Sequence, residues 1–250
     1  MSIVKRIIKY AMKRLGYDIR KLPVAQINQQ HQEPIKTQDK ITLSDNMLKE
    51  KIYISKDIKL HFGCGPRILK GWFNIDLVYC DYRDGDYLKF YTNKYYPPEL
   101  RGDNKDFLAM NAVESPWLFP DNSVDVIFHE DFIEHLNQRD QFCFLAESYR
   151  VLKPGAIHRI NTPNVAYWLR QNTDFSQGMK TVPVDWVWNQ WHHFNVLSPA
   201  MLEDMARIIG YSKVVFTARD KSNSPLIPLE YRPDPVYAPE EANIFADLVK

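Results

Sequence analysis

From Ile58 onward, apolar runs of strand length alternate with stretches of helical periodicity. Short runs at 58–62, 73–77, 107–110, 124–128, 157–161 and 212–218 read as strands. Residues 138–151 place Phe142, Leu145, Ala146, Tyr149, Val151 and Leu152 at helical spacing. Residues 199–209 do the same with Met201, Leu202, Met205, Ile208 and Ile209. Such alternation predicts an α/β chain: a doubly wound, mostly parallel sheet with helices on both faces. In these sheets ligands sit at the carboxyl ends of the strands, near the reversal of strand order. That singles out residues 63–65, Asp76, Asn111, 129–131 and 161–164.

The flanking segments follow other patterns. Residues 1–16 place Ile3, Val4, Ile7, Ile8, Ala11, Met12 and Leu15 on one helical stripe, with Lys5, Arg6, Lys9, Lys13 and Arg14 between them. This is a basic amphipathic helix with Gly16 as its stop. It suits the surface of an anionic membrane, or packing on its own domain or on a second copy in a homo-oligomer. Gln-rich, proline-bounded sequence after it reads as a linker. The expected map is therefore a helix at 1–22, a linker at 23–43, the main domain at 44–220 and a C-terminal tail at 221–250. Two aromatic-rich insertions, 79–106 and 163–198, interrupt the alternation and are expected to pack as covers over the strand ends. Prolines between 220 and 237 obscure whether a seventh strand exists there.

With 250 residues, 45% hydrophobic and 25% charged, the chain has the composition of a soluble globular protein. Net charge is +1, but the basic side chains of residues 1–21 face only Asp18, so the remainder is acidic. An acidic body argues against a nucleic-acid partner, whose phosphates need lysine and arginine. Cys64, Cys80 and Cys143 show no paired or zinc-type spacing and are expected to be free thiols in a reducing compartment. No apolar run approaches the roughly 18 residues of a membrane span, and no signal-peptide core is visible. The expected location is cytoplasmic, at the inner face of the membrane if the N-terminal helix docks there.

Chemistry concentrates after the first strand. Gly63 and Gly65 directly follow it and let the backbone turn tightly and approach a ligand. Asp76, near the end of the second strand, is placed to accept hydrogen bonds from ribose hydroxyls. A nicotinamide dinucleotide fingerprint is disfavoured: Ile68 stands where a third glycine would fall, and Asp76 comes too soon after the glycines.

Further motifs stand in order. Phe62, Gly63, Cys64, Gly65 and Pro66 are followed by Gly71, Trp72, Phe73, Asn74, Ile75, Asp76 and Leu77. Residues 119–136 (FPDNSVDVIFHEDFIEHL), 146–155 (AESYRVLKPG) and 160–164 (INTPN) complete the set. Over roughly residues 58–218 this sequence resembles the class I S-adenosylmethionine-dependent methyltransferases, in particular a branch associated with bacterial surface-glycan synthesis. The resemblance implies a Rossmann-like fold with S-adenosyl-L-methionine as cofactor. It implies that Gly63, Cys64 and Gly65 pass the methionine part, that Asp76 and Leu77 meet the ribose, and that Asn111 and Ala112 lie by the adenine. Asn111 departs from the family's usual Asp, although its carbonyl still accepts hydrogen bonds. His129 and Glu130 would stand beside the sulfonium, and Glu134 with His135 matches a frequent pair after the fourth strand.

Methyl transfer to a hydroxyl needs a group that removes the acceptor's proton, most often histidine. His129, His135, His192 and His193 are the candidates; His129 is preferred, oriented by Asp131, and His193 from the tryptophan-rich insertion comes second. An alternative is Mg²⁺ held by Glu130, Asp131 and Glu134, although helix-start acids explain the latter two more simply, and no metal is expected. The aromatics of both insertions suit a saccharide acceptor. The expected activity is therefore O-methylation of a sugar hydroxyl in a surface glycan or its precursor. The alternatives are a small-metabolite methyltransferase and a non-catalytic member acting in assembly or docking.

Overall fold

A computed structural model describes residues 50, 52, 55–83, 92–170, 191–236 and 238–250. The chain divides into two compact units, Met1–Ile41 and Thr42–Lys250. The first unit, and with it the expected amphipathic helix and linker, lies outside the described residues.

Among the described residues seven strands form one sheet: β1 (Lys59–Phe62), β2 (Phe73–Asp76), β3 (Phe107–Ala109), β4 (Val124–Glu130), β5 (Leu152–Pro163), β6 (Lys213–Phe216) and β7 (Asn243–Val249). Their order is β3-β2-β1-β4-β5-β7-β6. The first five pair in parallel, and β7 runs antiparallel to both β5 and β6. Strand order reverses between β1 and β4, where Phe62 lies opposite His129. The seventh strand thus comes from residues read as a C-terminal tail, and it joins β6 to the rest of the sheet. Central strands of such a sheet are covered on both faces: β1 buries Leu60, His61 and Phe62 in succession, and β4 buries Val126, Ile127, Phe128 and His129.

One face is covered by helices α1 (Gln138–Val151) and α3 (Pro199–Ile209), with the short α2 (Val165–Arg170) between them in sequence. The Asn137 side chain caps α1 by accepting from Asp140 N–H at 3.0 Å. Ser198 caps α3, Pro199 starts it and Gly210 ends it. Phe144 and Leu145 of α1 and Leu202, Met205 and Ala206 of α3 pack on Leu60, Phe62, Ile75, Ile127 and Ile160. The other face differs from expectation. Among the described residues its cover is irregular chain: Leu69, Trp72 and Tyr96 lie over Val126 and Phe128, with Tyr82, Leu100 and Ile227 around them. The link from Gly63 to Trp72 is too short for a packed crossover helix and forms turns instead.

This second face is also polar. Arg159 of β5, fully buried, donates to both carboxylate oxygens of Glu230, to Asp247 of β7, to Thr217 Oγ1 and to the Ala218 carbonyl, so all its N–H groups are used. Asp247 also accepts from Ser222 and Asn223, fastening residues 217–230 to the sheet.

The helical face carries buried histidines. His129 is 0% exposed and touches Phe132, Phe144 and His158 edge-on; neither ring nitrogen has a hydrogen-bond partner. Burial, then the neighbouring His158 and His61, pushes its pKa well below 6.5. His158, also buried, is lowered to about 3. On the opposite face His61, stacked on Phe128, is lowered to about 3 by burial and then by Arg67, against the pull of Asn74.

The membrane contact expected of residues 1–16 is withdrawn. No helix among the described residues is long and apolar enough to cross a membrane, and residues 1–16 lie outside them, so nothing supports such a contact.

Two outcomes follow from the core. Below pH 6.5 the unfolded chain gains protons that buried His61, His129 and His158 refuse, so stability falls on acidification toward pH 3. Urea denaturation should show a loss of about 1.4 kcal/mol per pH unit for each histidine, and His129→Leu should remove about one such share; a flat profile from pH 7 to 5 contradicts this. Arg159→Met, which strands Glu230 and Asp247 without their cation, should cost about 3–5 kcal/mol by the same measurement.

Candidate active site

The carboxyl ends of β1, β2 and β4 converge at the reversal of strand order, and the candidate residues meet there. After β1 the chain turns through Gly63 (φ 57°) and Gly65 (φ 47°), both left-handed. A Cβ on Gly63 would lie 2.6 Å from the Phe132 ring, so any side chain is excluded. A Cβ on Gly65 would meet nothing within 4 Å, so the outer side of the turn is open.

Asp76 locks this turn. Its Oδ2 accepts from Gly65 N–H at 3.0 Å and its Oδ1 from Leu77 N–H at 2.7 Å. An ionised carboxylate has about four acceptor positions, so two remain for a ligand. Leu77 beside it is 68% exposed, a large apolar side chain at the mouth of the site. Cys64 is buried against Ile68 and Phe107, and burial, followed by the Asp76 charge, pushes its thiol up. Its contribution to the turn is therefore its backbone.

Other expected site residues are engaged elsewhere. Asn111 makes a local turn, accepting from Val113 N–H at 3.3 Å and donating to Glu114 at 3.0 Å. Ala112 is buried, and its carbonyl accepts from Trp117 Nε1. Glu130 points to the non-helical face, where it is held by Arg67, Asn161 and the Arg232 N–H. Asp131 does not orient His129. It accepts from Asn243 at 2.9 Å and lies 3.5 Å from Arg232. The preference for His129 as base is corrected likewise, because its ring is sealed under α1 and reaches no solvent.

A different group gathers at this rim. Glu134, fully buried in the 3-10 turn Ile133–His135, accepts from Thr162 Oγ1 at 2.8 Å through Oε2. Its Oε1 has no hydrogen-bond partner and lies 3.8 Å from His193 Nε2. Burial, then the Asp131 charge, pushes this carboxyl well up. His135 is exposed and meets His193 edge-on, ring centroids 4.8 Å apart. The segment carrying His193 is held by Phe194 and Asn195 N–H, which both donate to the Glu134 carbonyl, and by Gln141, which bonds Asn195. Residues 171–190, including Trp186 and Trp188, lie outside the described residues; Trp191 and Phe194, 51% and 72% exposed, border the group. In the sequence Glu134 and His135 stand out as a pair and His193 apart from them, and nothing in the spacing joins the three.

Residues 60–160 match a family model described as a methyltransferase domain. A probable S-adenosylmethionine-dependent methyltransferase of Mycolicibacterium smegmatis is 46% identical over 54 residues, 22% of this chain and 20% of the relative's length. The chain thus spans about one fifth of that relative. A methyltransferase from Archaeoglobus fulgidus shares 16% identity over 83% of this chain and 95% of its own, at TM-score 0.46. One from Thermotoga maritima, a possible histamine N-methyltransferase, shares 16% over 80% of this chain and 86% of its own, at TM-score 0.45. Phosphoethanolamine N-methyltransferase 2 of Haemonchus contortus shares 19% over 69% of this chain and 38% of its own, at TM-score 0.41. Neither the family model nor the Mycolicibacterium smegmatis relative singles out a glycan-associated branch. Residues 60–160 are thus similar to a methyltransferase domain, and the seven-stranded sheet has the Rossmann-like strand order of the class I S-adenosylmethionine-dependent methyltransferase fold.

Proposed function

We propose that this protein is a cytoplasmic S-adenosylmethionine-dependent O-methyltransferase whose acceptor is a sugar hydroxyl of a surface glycan or its precursor. The observation that carries the methyltransferase reading is the open Gly63 to Gly65 turn latched onto Asp76, inside the matched domain. The free acceptor positions of Asp76 suit a ribose diol, and exposed Leu77 suits the adenine face. S-adenosylmethionine supplies an electrophilic methyl group on a sulfonium; the chain has to align the acceptor, exclude water and remove a proton.

A hydroxyl acceptor is supported by the rim. As the acceptor oxygen bonds the methyl carbon and the carbon–sulfur bond breaks, the hydroxyl proton has to leave, and imidazoles stand there to receive it. His193, backed by the Glu134 carboxyl, is the preferred recipient in place of His129. Exposed Trp191 and Phe194 offer flat apolar surfaces of the kind that cover a sugar ring.

Calorimetry with S-adenosylhomocysteine should give saturable binding, weakened at least about ten-fold by Asp76→Ala, a loss of about 1.4 kcal/mol. Absence of binding by folded protein at about 1 mM ligand would reject the cofactor assignment. Incubation with methyl-labelled S-adenosylmethionine and a panel of glycosides, phenols and amines should yield sugar methyl ethers. Label on amines alone, or cofactor binding with no transfer to any acceptor, rules out the proposed reaction.

A further inference from the structure

The rim group also has the composition of a cation site. Glu134, His135 and His193 each offer one ligand atom, and these atoms lie within 4.8 Å of one another. The Glu134 Oε1 to His193 Nε2 distance of 3.8 Å is too long for a hydrogen bond. It is close to the roughly 3–3.5 Å that separates two ligands of one ion with bonds near 2.1 Å. His135 is exposed and lies a small distance from completing the set. A second observation points the same way. Glu134 is 0% exposed, yet its Oε1 has no hydrogen bond, and a buried carboxylate oxygen left so is costly unless something positive meets it.

We propose that Glu134, His135 and His193 bind one divalent transition-metal cation. Two imidazoles and one carboxylate favour Zn²⁺, Mn²⁺ or Fe²⁺ over Mg²⁺ and Ca²⁺, which take mainly oxygen ligands. Three protein ligands leave further positions open, and exposed His135 puts those positions on the solvent side. In the metal-loaded protein the cation would take the acceptor's hydroxyl as a ligand and lower its pKa, so that the proton leaves to solvent while His193 serves as a ligand; in the metal-free protein His193 keeps the role of proton recipient. This role in activating the acceptor rests on the methyltransferase reading; the site itself does not. The carboxylates of Glu130 and Asp131 are not part of it, being engaged by Arg67, Arg232 and Asn243. The Glu134 backbone holds the His193 segment through Phe194 and Asn195, so two of the ligands are fixed to each other without the ion.

The test is calorimetric titration of chelator-treated full-length protein with Zn²⁺, and separately with Mn²⁺ followed by its electron paramagnetic resonance signal. One ion per chain is expected, with affinity falling at least about ten-fold in His135→Ala and in His193→Ala. His135 is exposed, so its variant should keep the fold, checked by circular dichroism. No saturable binding of either ion, or equal affinity in wild type and both variants, overturns the site. S-adenosylhomocysteine binding measured on the same samples reports on the methyltransferase reading alone. Metal binding without cofactor binding would keep the site while removing that reading, and the reverse would do the opposite.

Discussion

The Glu130 carboxylate at the carboxyl end of β4 is the tie on which the architecture of this rim depends. Its side chain, only 7% exposed, lies on a sheet face, where an unpartnered charge would cost several kcal/mol. Its partners come from three distant parts of the chain: Arg67 from the turn after β1, Asn161 from β5, and the Arg232 backbone from the segment before β7. Arg67 in turn donates to the carbonyls of Tyr95 and Leu229. One buried anion therefore fixes the glycine turn, the first insertion and the C-terminal cover relative to one another.

That arrangement explains why the non-helical face works without described helices. Irregular chain leaves backbone groups to be satisfied, and buried polar groups need partners. Here side chains supply them: Asn74 bonds the backbone at Leu69, Trp72 and Asp106, and Arg159 bonds the Ala218 carbonyl. Side-chain hydrogen bonds do what a helix does for itself.

Much of the fold was legible from periodicity. Helices α1 and α3 begin and end where the apolar spacing and the capping residues put them, and six strands lie within the expected runs or extend them. β7 was missed because its residues follow a proline-rich stretch and carry Asp247, which reads as surface until Arg159 is seen beneath it. His129 was misread for a reason the sequence does contain. Along β4, Ile127 and His129 share one side while Val126, Phe128 and Glu130 share the other. Parity therefore sends His129 into the helical core with Ile127. No such signal unites Glu134 with His193, because chain topology alone brings them together.

The position of β7 also bears on how the domain comes to be made. Its partners β5 and β6 are synthesised well before it, yet each pairs with β7 and not with the other. During synthesis, β5 presents an open edge to its surroundings until residues 243–249 have emerged. Open edges invite pairing with other chains. A nascent chain of this kind gains from rapid translation of residues 164–249, or from a chaperone that shields β5 in the interval.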